Sequence, residues 1–250
     1  AAEAPALAAA ALAAAFARTR AFGSATALVA SMSAAGDALG VANLGDSGAR
    51  QVRWLGQGHA SVVAKTADQQ HSFNCPYQLS RLPTPEDFPK LMAEGKSALV
   101  KAVQRCRNQR HDQPEDADLY TFQVQEGDLF VLGTDGVFDN LHDSEVCEIL
   151  QNRVASSMLS EEPASAIAAA AAAADQCSAS NAIAKAAAQR VAAACPTDLA
   201  DALARGAQRR AADGAARTPF MQTAKEAGVQ HVGGKMDDIT VVVAWVTGSD

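Results

Sequence analysis

The sequence is poor in several things, and each shortage excludes a class of function. Aromatic residues make up only 5% of the 250-residue chain, and basic residues are outnumbered by acidic ones, 21 against 28, for a net charge of -7. No block of Lys and Arg interrupts that balance, so an electrostatic footprint for nucleic acid is missing. The densest basic group, Arg205, Arg209 and Arg210, lies in Ala-rich surroundings and reads as the polar face of a helix. Cysteines are few and unpaired in pattern: Cys75, Cys106, Cys147, Cys177 and Cys195 form no CxxC and are odd in number. That excludes a disulfide frame or zinc site and points to free thiols in a reducing, intracellular compartment. No run approaches the roughly 18 to 20 strongly apolar residues of a membrane span, and the Ala168 to Ala174 tract is too short and too weakly hydrophobic. The first residue is Ala and not Met, which marks a processed chain or a fragment. Ala6 to Arg20 reads as a helix of the domain, not as a transit-peptide remnant, because Leu7, Leu12 and Phe16 recur near helical spacing and Gly23 follows as a stop.

What is present suggests one domain of generous size, residues 1–250, with insertions at about 84–118 and 157–217. After the first helix, Ala25 to Ser31, Ala38 to Leu44, Gln51 to Leu55 and Ser61 to Ala64 read as an antiparallel meander of short strands, with Gly56 and Gly58 in the last turn. Asp68 to Pro85 is rich in turns and holds His71 among polar and aromatic neighbours, a loop read as lining the edge of a site. Phe88 to Gln109 has helical spacing, and a polar loop, Asn108 to Asp118, follows it. Leu119 to Val124, the turn Glu126-Gly127-Asp128 and Leu129 to Leu132 read as a hairpin that delivers Asp135 to a strand end. From Asp143, a plausible N-cap, the period turns helical, with Val146, Ile149 and Leu150 as the apolar stripe. Ala164 to Ala174 and Ala182 to Ala194 are strongly helix-prone and read as an outer layer. Ile239 to Val246 is a near-continuous β-branched run of the buried-strand kind. Trp54 and Trp245, both on strand patterns, read as core or interface anchors, and Arg50 and Arg53 as residues of an exposed strand that could contact phosphate.

Three strand ends carry acids: Asp46; Asp135 with Asp139; and Asp237 with Asp238. Carboxylates brought within about 4 Å repel by roughly 4 kcal/mol per pair at an effective dielectric near 20, so convergence would demand a cation. All the donors are oxygen, which selects Mg²⁺ or Mn²⁺ over softer metals. His142 and His231 lie nearby without ligand spacing to another His or Cys.

Leu44-Gly45-Asp46-Ser47-Gly48, Thr134-Asp135-Gly136-Val137-Phe138-Asp139-Asn140 and Gly233-Gly234-Lys235-Met236-Asp237-Asp238-Ile239-Thr240 resemble, in order and separation, three motifs of the metal-dependent type 2C serine/threonine protein phosphatases. The resemblance runs from Gly23 to Val246. Gln69 to Asn74, Pro76 to Ser80 and Thr218-Pro219-Phe220 further resemble a branch with mitochondrial and chloroplast members. It implies an α+β fold, a four-layer α-β-β-α sandwich of two antiparallel sheets flanked by helices. It implies a phosphoprotein substrate and two Mg²⁺ or Mn²⁺ ions, with a third, weaker site. Asp135 would bridge the main ions, Asp237 would complete the first centre, Asp46 and Asp139 would help form the third, and Asp238 would support the ligands from behind. His71 would lie at the substrate cleft. In that family a metal-activated water attacks phosphorus directly, without a phosphoenzyme.

One departure matters. The family's early Asp-Gly motif, whose Asp bridges both main metals, and its upstream phosphate-binding Arg have no counterpart here. The chain therefore begins at about the family's second helix, with the first strands missing, and truncation is the expected cause. Natural loss would instead make it an inactive pseudophosphatase, a binding or structural subunit with a protein partner on the Ala-rich helices. Gly45-Asp46-Ser47-Gly48 also resembles the nucleophile segment of chymotrypsin-like proteases, but no His precedes Ser47 to serve as base.

Overall fold

A computed structural model describes residues 3–55, 59–106, 110–160 and 194–248. The expected helices at Ala164 to Ala174 and Ala182 to Ala194, and the turn at Gly56 and Gly58, lie wholly or almost wholly outside them. The described elements are helices and antiparallel sheets, an α+β architecture, arranged as two compact units. The first unit comprises residues 1–46 and 68–121, the second residues 47–67 and 122–250.

In the first unit, α1 (Glu3–Arg18) covers a three-stranded sheet of β2 (Ala27–Met32), β3 (Ala38–Leu44) and β9 (Asp118–Gln123), in the order β2-β3-β9. The buried face of α1 is Ala4, Ala8 and Leu12, one residue per turn, while Leu7 is exposed. The expected stripe through Leu7 is thus displaced, and the reason is steric. A Cβ at Gly40 would come within 2.1 Å of the Ala4 carbonyl carbon, so only small side chains allow the helix to sit this close to β3. Smaller pairings, β1 (Gly23–Ala25) with β8 (Leu79–Arg81) and β6 (Gln70–Ser72) with β7 (Cys75–Pro76), occupy the turn-rich stretches. The helical reading of residues 88–109 resolves into α2 (Phe88–Ala93) and α3 (Ser97–Cys106), separated at Gly95, whose φ is 76°. The polar loop beyond contains a 3₁₀ turn at Pro114–Asp116.

In the second unit, β4 (Gly48–Trp54), β5 (Ala60–Lys65), β10 (Leu129–Gly133) and β11 (Val241–Trp245) form one antiparallel sheet in the order β11-β10-β4-β5. The short helix α4 (Asp135–Phe138) follows β10, and then come α5 (Asp143–Ser160), α6 (Pro196–Ala211) and α7 (Pro219–Glu226). Strand β10 is central, paired with β4 on one side and β11 on the other, which explains its unbroken apolar run. Leu129, Val131 and Val52 meet Val137, Leu141, Val146, Leu150, Leu199 and Leu203 in one core. Trp54 and Trp245 pack against that core with ring centroids 5.6 Å apart, as anchors should.

Three expectations about strands need correction. The meander is divided: β2 and β3 pair in one sheet, and the chain enters another at Gly48. The hairpin of residues 119–132 does not exist, because β9 belongs to the sheet of β2 and β3 while β10 has both edges occupied. Of the run 239–246 only β11 (Val241–Trp245) is strand, and among the described residues it is an edge strand exposed on one face, with Val242 54% accessible. β-branched residues report strand propensity, which edge and central strands share.

Two ion-pair clusters, one on the buried Asp128 and one on the half-buried Asp143, brace the second unit. Asp128, only 1% exposed, receives a two-pronged contact from Arg53 at 2.7 Å on each oxygen, and further hydrogen bonds from Gln51 Nε2 and the Gln125 N–H. Asp143 is the first residue of α5 and not its cap; its carboxylate accepts from Arg50 Nε at 2.9 Å and Lys65 Nζ at 2.6 Å. Arg50 and Arg53 are therefore structural cations, and Arg50 is buried, with its guanidinium 4.0 Å from the centre of the Phe138 ring. Burial pushes the Asp143 carboxyl up, but Lys65 and Arg50 outweigh it and hold the group below the ordinary carboxylate range. A carboxyl depressed in the folded state contributes stability above its unfolded pKa of about 3.9 and loses it as the pH falls through the folded value. Comparing wild type with Asp143→Asn by urea unfolding should therefore show a stability gap that is constant near neutrality and closes below about pH 4. A gap unchanged down to about pH 2 would contradict this assignment.

Candidate metal centre

The site is built where β10 ends. Thr134, extended at φ -72° and ψ 166°, precedes the single turn α4, which carries Asp135 and ends at Asp139. Positions i and i+4 share one helix face, so the spacing that reads as a turn in sequence places both carboxylates side by side. The second arm of the site, residues 233–240, is laid against this turn by specific bonds. Thr134 Oγ1 donates to the Asp238 carbonyl at 2.9 Å and accepts the Thr240 N–H at 3.1 Å. The buried Asn140 amide accepts the Lys235 N–H through Oδ1 and donates to the carbonyls of Lys235 and Gly136 through Nδ2, each at 2.9 Å. Contact is so close that a Cβ at Gly136 would stand 2.5 Å from the Asp238 carbonyl oxygen, which requires glycine there.

Thr218-Pro219-Phe220 supplies the third support. Thr218 caps α7 by accepting the Met221 N–H and also donates to the Gly233 carbonyl, both at 3.2 Å. The Phe220 N–H donates to the Asp139 carbonyl at 3.0 Å, and its ring meets the His231 ring edge-on with centroids 4.8 Å apart.

These supports converge three carboxylates on one ammonium. Lys235 Nζ lies 2.7 Å from Asp135 Oδ2, 2.7 Å from Asp139 Oδ2 and 3.1 Å from Asp237 Oδ2, and 4.9 Å from the centre of the Phe220 ring. Burial works against the Lys235 charge, but its bonds to Asp135 and Asp139 prevail and raise its pKa above the ordinary lysine value. Burial likewise pushes the Asp237 carboxyl up, and the Asp238 N–H and Lys235 bring it below its usual value. Asp238 faces the site through its backbone, donating its N–H to Asp237 Oδ1 at 2.9 Å.

The cluster belongs wholly to the second unit and unites Asp135 and Asp139 with Asp237, about a hundred residues further along the chain. Asp46 and His71 belong to the first unit. Asp46 follows β3 in the turn after Gly45, and His71 Nε2 lies 3.0 Å from Asp112 Oδ2 with its ring stacked on Tyr77. Sequence reasoning missed Lys235 and Asn140 as parts of the site. For Asn140 the signal was an amide directly after an acidic helical turn; for Lys235 it was a cation two residues from an acid pair.

The donor set fits a hard divalent ion in its chemistry: only carboxylate oxygens, already gathered around a cation, with three negative charges against one positive. As the side chains stand, among the described residues no group of three His, Cys, Asp or Glu has the arrangement to hold a metal ion; the oxygens of Asp135, Asp139 and Asp237 instead surround the Lys235 ammonium.

Comparison with known proteins agrees with this geometry. No family model matches the chain. It is 32% identical over 232 residues to probable protein phosphatase 2C 80 of Arabidopsis thaliana, covering 93% of this chain and 39% of that protein. It is 31% identical over 224 residues to the human protein phosphatase PTC7 homolog, covering 90% and 54%. The X-ray structure of the photosystem II phosphatase PBCP superposes with a TM-score of 0.59 at 25% identity, over 95% of this chain and 70% of that one. The chain belongs to the type 2C protein phosphatase family. It spans between about a third and just over half the length of the curated relatives that it matches. Among the described residues of this family member no helix is long and apolar enough to cross a membrane.

Because Asn140 bonds both backbone groups of Lys235, Asn140→Ala should lower unfolding stability by about 2–3 kcal/mol, the cost of stranding buried polar groups. Urea unfolding reads this directly. A loss below about 0.5 kcal/mol, the level of an ordinary surface change, would show that the two arms are held by other means.

Proposed function

We propose that the protein is a Mg²⁺- or Mn²⁺-dependent phosphatase of phosphoserine and phosphothreonine in proteins. The observation that carries this reading is the convergence of Asp135, Asp139 and Asp237 on a single cation in a member of the type 2C family. Asp135 would bridge two ions, Asp237 would complete the first centre, Asp139 would serve a third, and Asp238 would stiffen the loop through its backbone. When bound, such ions polarise a phosphoryl oxygen and lower the pKa of a coordinated water. The chain's own part is to keep its carboxylates ionised and aimed. Thr134 and Asn140 fix the two arms, and the short turn α4 presents Asp135 and Asp139 together. Hydrolysis would proceed without a phosphoenzyme. The four-layer sandwich belongs to this reading, supported by the superposition on the photosystem II phosphatase; a single phosphatase domain over 1–250 with its insertions, and His71 at the substrate cleft, are proposed with it. So is an organelle location, mitochondrial or chloroplast. A reducing compartment belongs to the reading as well, proposed from the odd number and wide spacing of the cysteines. α6, inside the 157–217 stretch, contributes Leu199, Leu203 and Ala207 to the core; the partner surface proposed on the more N-terminal Ala tracts lies outside the described residues.

A second reading, an inactive binding subunit that keeps the fold, is favoured by the ammonium at the centre of the acids. Hydrolysis of a phosphothreonine peptide by the whole protein separates the two. Active protein should require Mn²⁺, stop in EDTA, and lose about a thousandfold or more of kcat/KM in Asp135→Asn, the scale of metal-ion charge stabilisation. Activity that survives both EDTA and Asp135→Asn would overturn the metal mechanism, and inactivity of the wild type with Mn²⁺ would favour the binding subunit.

A further inference from the structure

We propose that Lys235 is a tethered counter-ion that holds the carboxylate site together when no metal is bound and competes with divalent ions for it. The inference rests on the metal reading above and deepens it. The ammonium donates hydrogen bonds to carboxylate oxygens of Asp135 and Asp139 at 2.7 Å each and forms an ion pair with an Asp237 oxygen 3.1 Å away. The side chain is only 15% exposed, so these contacts are poorly screened and worth far more than those of a surface pair.

Two features suit the residue to exchange. Its backbone is fastened at both the N–H and the carbonyl by Asn140, so the Cα and the carboxylates can stay in place while the four-carbon side chain swings. The Phe220 ring, 4.9 Å from Nζ, gives the ammonium a favourable neighbour that is not an acid. A divalent ion drawing the same oxygens to about 2 Å cannot share their point of convergence with Nζ. It also answers three negative charges with two positive ones where Lys235 supplies one. Metal must therefore evict Lys235, and the measured affinity is the intrinsic one multiplied down by the fraction of protein in which the ammonium is already withdrawn.

Competition predicts opposite signs for two properties of one variant, which a merely structural lysine or a metal-assisting lysine would not give. Removing the ammonium leaves the acids unneutralised, so the metal-free protein loses stability, while the metal-bound form gains affinity. The test uses the whole protein, with Mn²⁺ binding followed by the EPR signal of free Mn²⁺ and Tm measured in EDTA and in saturating Mn²⁺. Lys235→Met and Lys235→Gln should bind Mn²⁺ about tenfold more tightly or better, as expected if under a tenth of the wild type is competent at any moment. Both should melt below wild type in EDTA and show a larger Mn²⁺-induced rise in Tm. Lys235→Arg, which keeps the charge, should stay within about threefold of wild type in affinity. Neutral variants that bind Mn²⁺ no more tightly than wild type would overturn the competition while leaving the metal site standing. Variants that stay unfolded in saturating Mn²⁺ would overturn it as well, by making Lys235 an obligatory part of the fold. If neither wild type nor the variants bind Mn²⁺, the metal reading fails and the competition with it.

Discussion

Like charges held at close quarters are the constraint on which this structure turns. Asp135, Asp139 and Asp237 are brought to one point by backbone bonds that owe nothing to their charges: an i, i+4 turn, an Asn140 clamp and a Thr134 clamp. Each pair of carboxylates so placed repels by several kcal/mol at protein dielectrics. The fold supplies one ammonium against three acids. It thus leaves the site underneutralised, and that imbalance is the physical basis of the proposed metal reading.

Holding repelling groups together demands rigidity behind them, and the second unit provides it. β10 is pinned on both edges, so the strand end that launches Asp135 cannot slide without flipping a buried face outward. Arg50 leans on Phe138, the last residue of α4, and reaches Asp143 at the start of α5, so the acidic turn is gripped between a strand and the following helix. Asp128, clamped by Arg53 and Gln51, fixes the other end of β10. Breaking such a buried pair is strongly destabilising because a stranded charge remains. The electrostatic work is therefore divided. One set of ion pairs is closed and structural, and the other is left unbalanced at the point of function.

The acids were legible in the sequence because chemistry follows strand ends: Asp135, Asp139 and Asp237 each stand beside an apolar β run, and these three meet on Lys235. Their partner Lys235 was not legible. A lysine in a Gly-Gly turn has the pattern of a solvated loop residue, and only the fold brings it a hundred positions back to Asp135 and Asp139. The strands were legible as strands, but their partners were not. Residues 119–132 have the period of a hairpin, yet pattern alone carries no information on which edge of which sheet a strand joins, and β9 and β10 part company. Helix α1 shows the converse failure. Hydrophobicity favoured Leu7, while close approach to Gly40 favoured Ala4 and Ala8, and packing geometry prevailed.

Crystals of the protein grown with Mn²⁺, examined for anomalous scattering at the manganese edge, test the account at its centre. The account predicts a peak about 2 Å from carboxylate oxygens of both Asp135 and Asp237, the usual span of a hard cation to oxygen, with Lys235 Nζ withdrawn from the two acids that it now bonds. A map in which Lys235 remains bonded to Asp135 and Asp139, with no anomalous peak beside them, would contradict it.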